Sequence, residues 1–178
     1  MLKRSQKGFT LIELMTALSI FAVVVTISLG SILNVFDANR KSRALKSVMT
    51  NLNLAMEEMS KEMRYGKNYH CGSSGTQSAP QNCPSGDTQV SFLSSDNVQI
   101  TYRLTGTSLQ KQSGNGSFTA VTAPEVLIDS LTYYTLGALT GDGLQPKTLI
   151  KLKGHAGSGR GRTDFTIQTL VSERALDS

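Results

Sequence analysis

Apolar and polar positions along this chain fall into three successive regimes. From Leu14 to Phe36 there is no charged residue. A helix needs about 20 apolar residues to cross the hydrocarbon core of a bilayer, so this run predicts a spanning helix. From Asp37 the pattern changes. Leu45, Val48, Met49, Leu52, Ala55, Met56, Met59 and Met63 recur at spacings of three and four. Such spacing marks one face of an amphipathic helix. No proline or glycine interrupts Asp37–Tyr65, and Gly66 supplies a stop. Asp37–Lys41 and Glu57–Lys61 have the favourable orientation for i,i+4 pairing. The two parts predict one continuous helix of about 57 residues, roughly 85 Å long at 1.5 Å per residue. Gly30 and Ser31 lie within it and offer a place to bend.

From Thr88 the period shortens to two. Gln89–Leu93, Val98–Leu104, Ser108–Gln112, Thr148–Lys153 and Asp164–Val171 read as strands, and Ser117–Thr122 as a further short one. Glu125–Tyr134 reads equally as a strand or as a short helix leading into one. Asn115-Gly116 signals a tight hairpin. Gly154–Arg162 reads as the exposed tip of the closing hairpin. Between the helix and these strands, Asn68–Asp87 reads as a polar loop, with Gly72, Gly75, Pro80, Pro84 and Gly86. The fold class is therefore α+β, a long N-terminal helix packed on an antiparallel β-sheet.

Charge changes the picture at the N-terminus. Lys3, Arg4 and Lys7 precede the apolar run with no acid among them. A cationic head before a spanning helix stays in the cytoplasm and sends the remainder across. The apolar run is too long for an ordinary secretory signal, and no small-x-small cleavage site directly follows it. Removing residues 1–8 changes the balance from 18 cations against 13 acids to 15 against 13. The remaining excess is too small to imply a general affinity for nucleic acid. Glu13 is the one carboxylate inside the apolar segment that begins at Phe9. A carboxylate there costs about 2.5–3.5 kcal/mol at a helix centre and less near the interface. It either snorkels to the headgroups or meets a cation.

The two cysteines, Cys71 and Cys83, lie behind an export signal. Their even number and that compartment favour a disulfide. Cys71-Gly72 and Cys83-Pro84 form no CxxC pattern, and His70 is the only nearby extra ligand, so a metal site is the lesser reading. No HExxH, GxSxG or phosphate-loop pattern occurs. His70 and His155 fall in glycine-rich stretches, and Gly154, Gly157, Gly159 and Gly161 read as a flexible tip. The residues imply no enzyme, no cofactor and no metal. Arg160 and Arg162 on the tip are the positions where an acidic partner or a DNA phosphate would be met.

The stretch Lys7-Gly8-Phe9-Thr10-Leu11-Ile12-Glu13-Leu14-Met15 resembles the cleavage and methylation motif of type IV prepilins and pseudopilins. The resemblance covers roughly the first third of the chain; the remainder is similar only in layout. It implies a pilin-like fold and a division into a cleaved leader at 1–8, a membrane and filament-core helix at 9–36, an amphipathic helix at 37–66 and an exported β-rich domain at 67–178. It implies that a prepilin peptidase/methyltransferase cuts after Gly8 and methylates the new amine of Phe9. Glu13 then becomes the fifth residue and pairs with the Phe9 amine of a neighbouring subunit, setting axial register. The implied partners are other pilin or pseudopilin subunits and the inner membrane, from which the subunit passes to a surface or periplasmic filament. Many major pilins carry a helix-breaking proline where this chain has Gly30. The run Met56–Gly66, followed by a loop and several strands, resembles minor pilins and the larger minor pseudopilins of type II secretion. The intact Glu13 argues against the tip-capping class. A minor structural subunit is expected, with a major pilin as the alternative within the family. A filament-borne adhesion or DNA-uptake subunit using loops 72–87 or 154–162 is a second reading, and a signal-anchored exported enzyme a third.

Overall fold

The computed structural model describes residues 8–157, 159 and 162–174, so Lys3, Arg4, Lys7 and Arg160 lie outside the described residues. The chain divides into two compact units, Met1–Arg40 and Lys41–Ser178. One helix, α1, runs Leu11–Arg64.

In the first unit, α1 presents its apolar side chains outward. Leu14, Phe21, Ile27, Leu33 and Phe36 are each more than half exposed. Its hydroxyls are turned back onto the helix. Thr16 donates to the Ile12 carbonyl at 3.0 Å, Ser19 to Met15 at 2.9 Å, Thr26 to Ala22 at 2.8 Å and Ser28 to Val24 at 2.8 Å. A polar group satisfied within its own helix is cheap to place in hydrocarbon. The helix is long and apolar enough to cross a membrane. It passes unbroken through Gly30.

In the second unit, the predicted stripe, apart from the half-buried Met49, forms the helix side of the core. Val48, Leu52, Ala55, Met56, Met59 and Met63 are buried, and Leu45 packs against them half-buried. They meet two antiparallel sheets. The first has the order β1-β3-β4-β5-β6 (Lys67–Cys71, Gln89–Leu93, Gln99–Thr105, Ser108–Ser113, Thr119–Ala120). The second has the order β2-β7-β8-β9 (Cys83–Asp87, Leu127–Leu136, Lys147–Ala156, Thr163–Ser172). Three buried tyrosines tie helix to sheets. Tyr102 donates to Glu62 Oε2 at 2.7 Å, Tyr133 donates to Met59 Sδ at 3.4 Å, and Tyr69 donates to the Met63 carbonyl. Phe92 stacks between Tyr69 and Tyr102, at centroid distances of 5.8 and 6.3 Å. Gly66 is needed where the chain leaves the helix, since a Cβ there would lie 2.5 Å from Phe92 Cδ2. The amide of Arg174 donates to the Arg64 carbonyl at 2.9 Å, satisfying one of the acceptors left open at the helix end.

Asn68–Asp87 departs from the expected loop. Its two ends are strands β1 and β2. β2 carries Pro84 and Gly86 and lies at a sheet edge, where a missing N–H is tolerated. Gly86 has φ +85, and a Cβ there would lie 2.5 Å from Thr132 Cγ2. Cys71 and Cys83 are joined, with a Cα–Cα distance of 5.6 Å, so the disulfide links the first strand of each sheet. Sealing a loop with a sequence separation of 12 contributes about 3 kcal/mol in the chain-entropy model. The Cys71→Ala, Cys83→Ala variant is accordingly expected to unfold in urea with stability lower by that amount.

Further differences are local. Glu125–Tyr134 resolves to strand β7. Gly154, His155 and Ala156 are zipped into β8 against Phe165, Asp164 and Thr163, which shortens the expected tip. Gly154 is buried, and a Cβ there would lie 2.5 Å from the Leu127 carbonyl oxygen. The turn after β5 takes its positive φ at Gly114, not at Asn115 or Gly116, and the connection is longer than a two-residue hairpin. Among the described residues, Lys111 bridges Glu58 at 2.8 Å and Glu62 at 2.5 Å, while neither expected i,i+4 helix pair closes.

Candidate functional site

The segment from Gly8 to Glu13 is built around the helix start. Thr10 and Glu13 make a reciprocal capping box. Glu13 N donates to Thr10 Oγ1 at 3.4 Å, and Thr10 N donates back to Glu13 Oε2 at 3.3 Å. Thr10 Oγ1 also donates to the same carboxylate oxygen at 3.2 Å. The Glu13 carboxylate is therefore folded back towards the N-terminal turn, on the side of the chain where Phe9 lies. Phe9 is 87% exposed. Gly8 takes no positive φ, and an added Cβ would meet nothing within 4 Å. The fold itself makes no demand for glycine there. Any demand for glycine at this position is set by what the segment meets.

The family model for the prokaryotic N-terminal methylation motif matches residues 3–29. The chain carries a type IV prepilin-type signature. The signature spans the whole constellation of Lys3, Arg4, Lys7, Gly8, Phe9 and Glu13. It continues into the exposed apolar part of α1 as far as Leu29. No curated protein and no solved structure matched the chain. The prepilin-type signature supports a processed subunit of the pilin or pseudopilin kind, made first as a membrane-anchored precursor. It implies processing by a prepilin peptidase and assembly with other pilin subunits. Thr10 belongs to the same site and was missed by reading charges alone. The signal for it is present as Thr-x-x-Glu at the mouth of an apolar run.

The other candidates separate. His70 lies on β1, not in a loop, and is 1% exposed. Its Nδ1 is 2.7 Å from the Ala79 carbonyl oxygen and its Nε2 is 2.8 Å from that of Ser74. With both nitrogens on backbone, it braces the disulfide-closed loop. His155 lies on β8 with Nδ1 3.0 Å from both carboxylate oxygens of Asp129. Two clefts share Glu58, one lined also by Lys111 and Thr119, the other by Glu62, Tyr65 and Asp96; neither includes a histidine. Arg162 is occupied by Asp164 at 2.8 Å and Asp129 at 3.7 Å. A phosphate would have to compete with those two acids.

Proposed function

We propose that this chain is a structural subunit of a type IV pilus or type II secretion-like filament, assembled through its N-terminal helix. A prepilin peptidase cuts after Gly8, and the exposed Phe9 amine is methylated. Before assembly, the apolar part of α1 holds the subunit in the inner membrane, with the head residues Lys3, Arg4 and Lys7 on the cytoplasmic side. After assembly, the same surface is buried against its counterparts. A row of exposed leucine, isoleucine, valine and phenylalanine calls for either lipid or such neighbours. The observation that carries the reading is the Glu13 carboxylate, held at the N-terminal turn of an otherwise uncharged surface. There it lies within a turn of its own Phe9 and is presented to the Phe9 amine of a neighbour. The run Met56–Gly66 and the intact Glu13 favour a minor subunit that primes or decorates the filament. The role is structural and not enzymatic, and the exported unit faces outward.

Intact mass of the membrane-extracted chain, expressed with and without a prepilin peptidase, tests this directly. Loss of residues 1–8 with one methyl added at Phe9, only when the peptidase is present, is the expected result. A chain left uncut in both cases would make it a simple signal-anchored protein.

A further inference from the structure

Asp129, His155 and Asp164 come together at one end of the four-stranded sheet, from three adjacent strands. His155 and Asp164 are direct cross-strand partners. On the other side, Ile128 pairs with Gly154 and Ser130 with Lys153, so Asp129 is the extra residue of a β-bulge. Bulges re-aim side chains, and this one turns Asp129 onto the imidazole of His155. One ligand atom from each residue falls within 4.8 Å of the others. The histidine side chain is 13% exposed, while those of Asp129 and Asp164 are 43% and 71% exposed. The nitrogen donor is thus anchored and the oxygen donors face solvent. A cation already sits on these oxygens. Arg162 places Nε 2.8 Å from Asp164 Oδ1 and Nη2 3.7 Å from Asp129 Oδ2.

We propose that Asp129, His155 and Asp164 bind one divalent transition-metal ion of the zinc class, and that Arg162 is the cation it displaces. The donor set decides the class. Calcium and magnesium take oxygen ligands almost exclusively, whereas one imidazole with two carboxylates suits a borderline ion. Zinc–nitrogen and zinc–oxygen bonds of about 2.0–2.2 Å put the ligands of one ion roughly 3.4 Å apart. The exposed aspartates supply the small contraction needed. Three protein ligands leave a fourth position to water. Arg162 is 49% exposed, so it can swing into solvent when the ion takes its place. The bound ion clips β7, β8 and β9 together at the end remote in sequence from the disulfide.

Calorimetric titration of the full-length chain in detergent micelles, disulfide intact and stripped by chelator, with zinc chloride tests the site. Saturable binding of one zinc ion per chain is expected, with a raised melting temperature and no binding of calcium at the same concentration. His155→Ala should weaken zinc binding by at least about tenfold, since it removes the one nitrogen donor. Arg162→Ala should tighten it, since it removes the competitor. If His155→Ala does not fold, Asp164→Asn on the exposed edge strand carries the same expected loss. No zinc binding to the wild-type chain, an affinity unchanged in the ligand variant, or weaker binding in Arg162→Ala would each overturn the site. The four residues would then be an ion-pair cluster that closes the β8–β9 hairpin.

Discussion

Glu13→Gln is expected to lower incorporation of the subunit into filaments by at least about tenfold, with its amount in the membrane unchanged or higher. The substitution separates three roles that the residue can play. As part of the helix cap, glutamine serves as well as glutamate, because either side chain at this position can accept from the Thr10 amide. As a group in the membrane, a neutral amide is cheaper than a carboxylate, so insertion does not suffer. Only the pairing role depends on charge. In a filament core the Phe9 amine of a neighbour would be left without its counter-charge, and removing one partner of a buried pair costs about 3–5 kcal/mol. Co-sedimentation of the variant with assembled filaments, normalised to its level in membrane fractions, reads the loss. Equal incorporation would remove the pairing and leave Glu13 as a capping residue that reaches for the headgroups. Thr10→Val, which takes away the hydroxyl donor to Glu13 while keeping its charge, is expected to have the smaller effect.

What could be read from the sequence follows the range over which each signal acts. The buried stripe from Val48 to Met63 was legible because helical period is a local property, and β3, β8 and β9 were legible because alternation is too. The strands β1 and β2 were hidden. Lys67–Cys71 is too short to show a period, and Cys83–Asp87 carries the proline and glycine that ordinarily punctuate loops. Both are fixed by distant partners, β3 and β7, and by the disulfide that joins them. The prepilin-type signature was legible because its residues are contiguous. The cluster of Asp129, His155 and Asp164 could not be seen, since it exists only through the β7–β8–β9 register and a one-residue bulge. The ion pairs show the same rule. The local helix pairs Asp37–Lys41 and Glu57–Lys61 were expected, whereas the helix acids that find a cation are Glu58 and Glu62, met by Lys111 from β5.

Stability of the second unit, Lys41–Ser178, is expected to be flat between pH 8 and 9 and to fall steeply above about pH 10, by up to about 4 kcal/mol per pH unit. Three tyrosines set this limb. Tyr69, Tyr102 and Tyr133 are each at most 1% exposed. Burial pushes all three phenols far above the usual value near 10, and Glu173 adds to the rise at Tyr69. Tyr102 rises further because its hydroxyl donates to Glu62, beside which a phenolate would be repelled. In the unfolded chain the same phenols lose their protons near pH 10, so above that pH the unfolded state binds fewer protons and stability falls as pH rises. Each tyrosine contributes at most about 1.4 kcal/mol per pH unit. Lys111 acts in the same direction. Burial lowers its ammonium, but Glu58 and Glu62 outweigh burial and the net shift is upward, so its contribution also drains away at high pH. Urea unfolding of the full chain in micelles at half-unit steps from pH 8 to 11.5 measures the slope, and Tyr102→Phe should reduce it by about a third. A midpoint constant to pH 11 would mean that these hydroxyls reach water. Because the three hydroxyls meet Met63, Glu62 and Met59, one on each successive part of the helix face, that slope reports whether α1 is seated on both sheets.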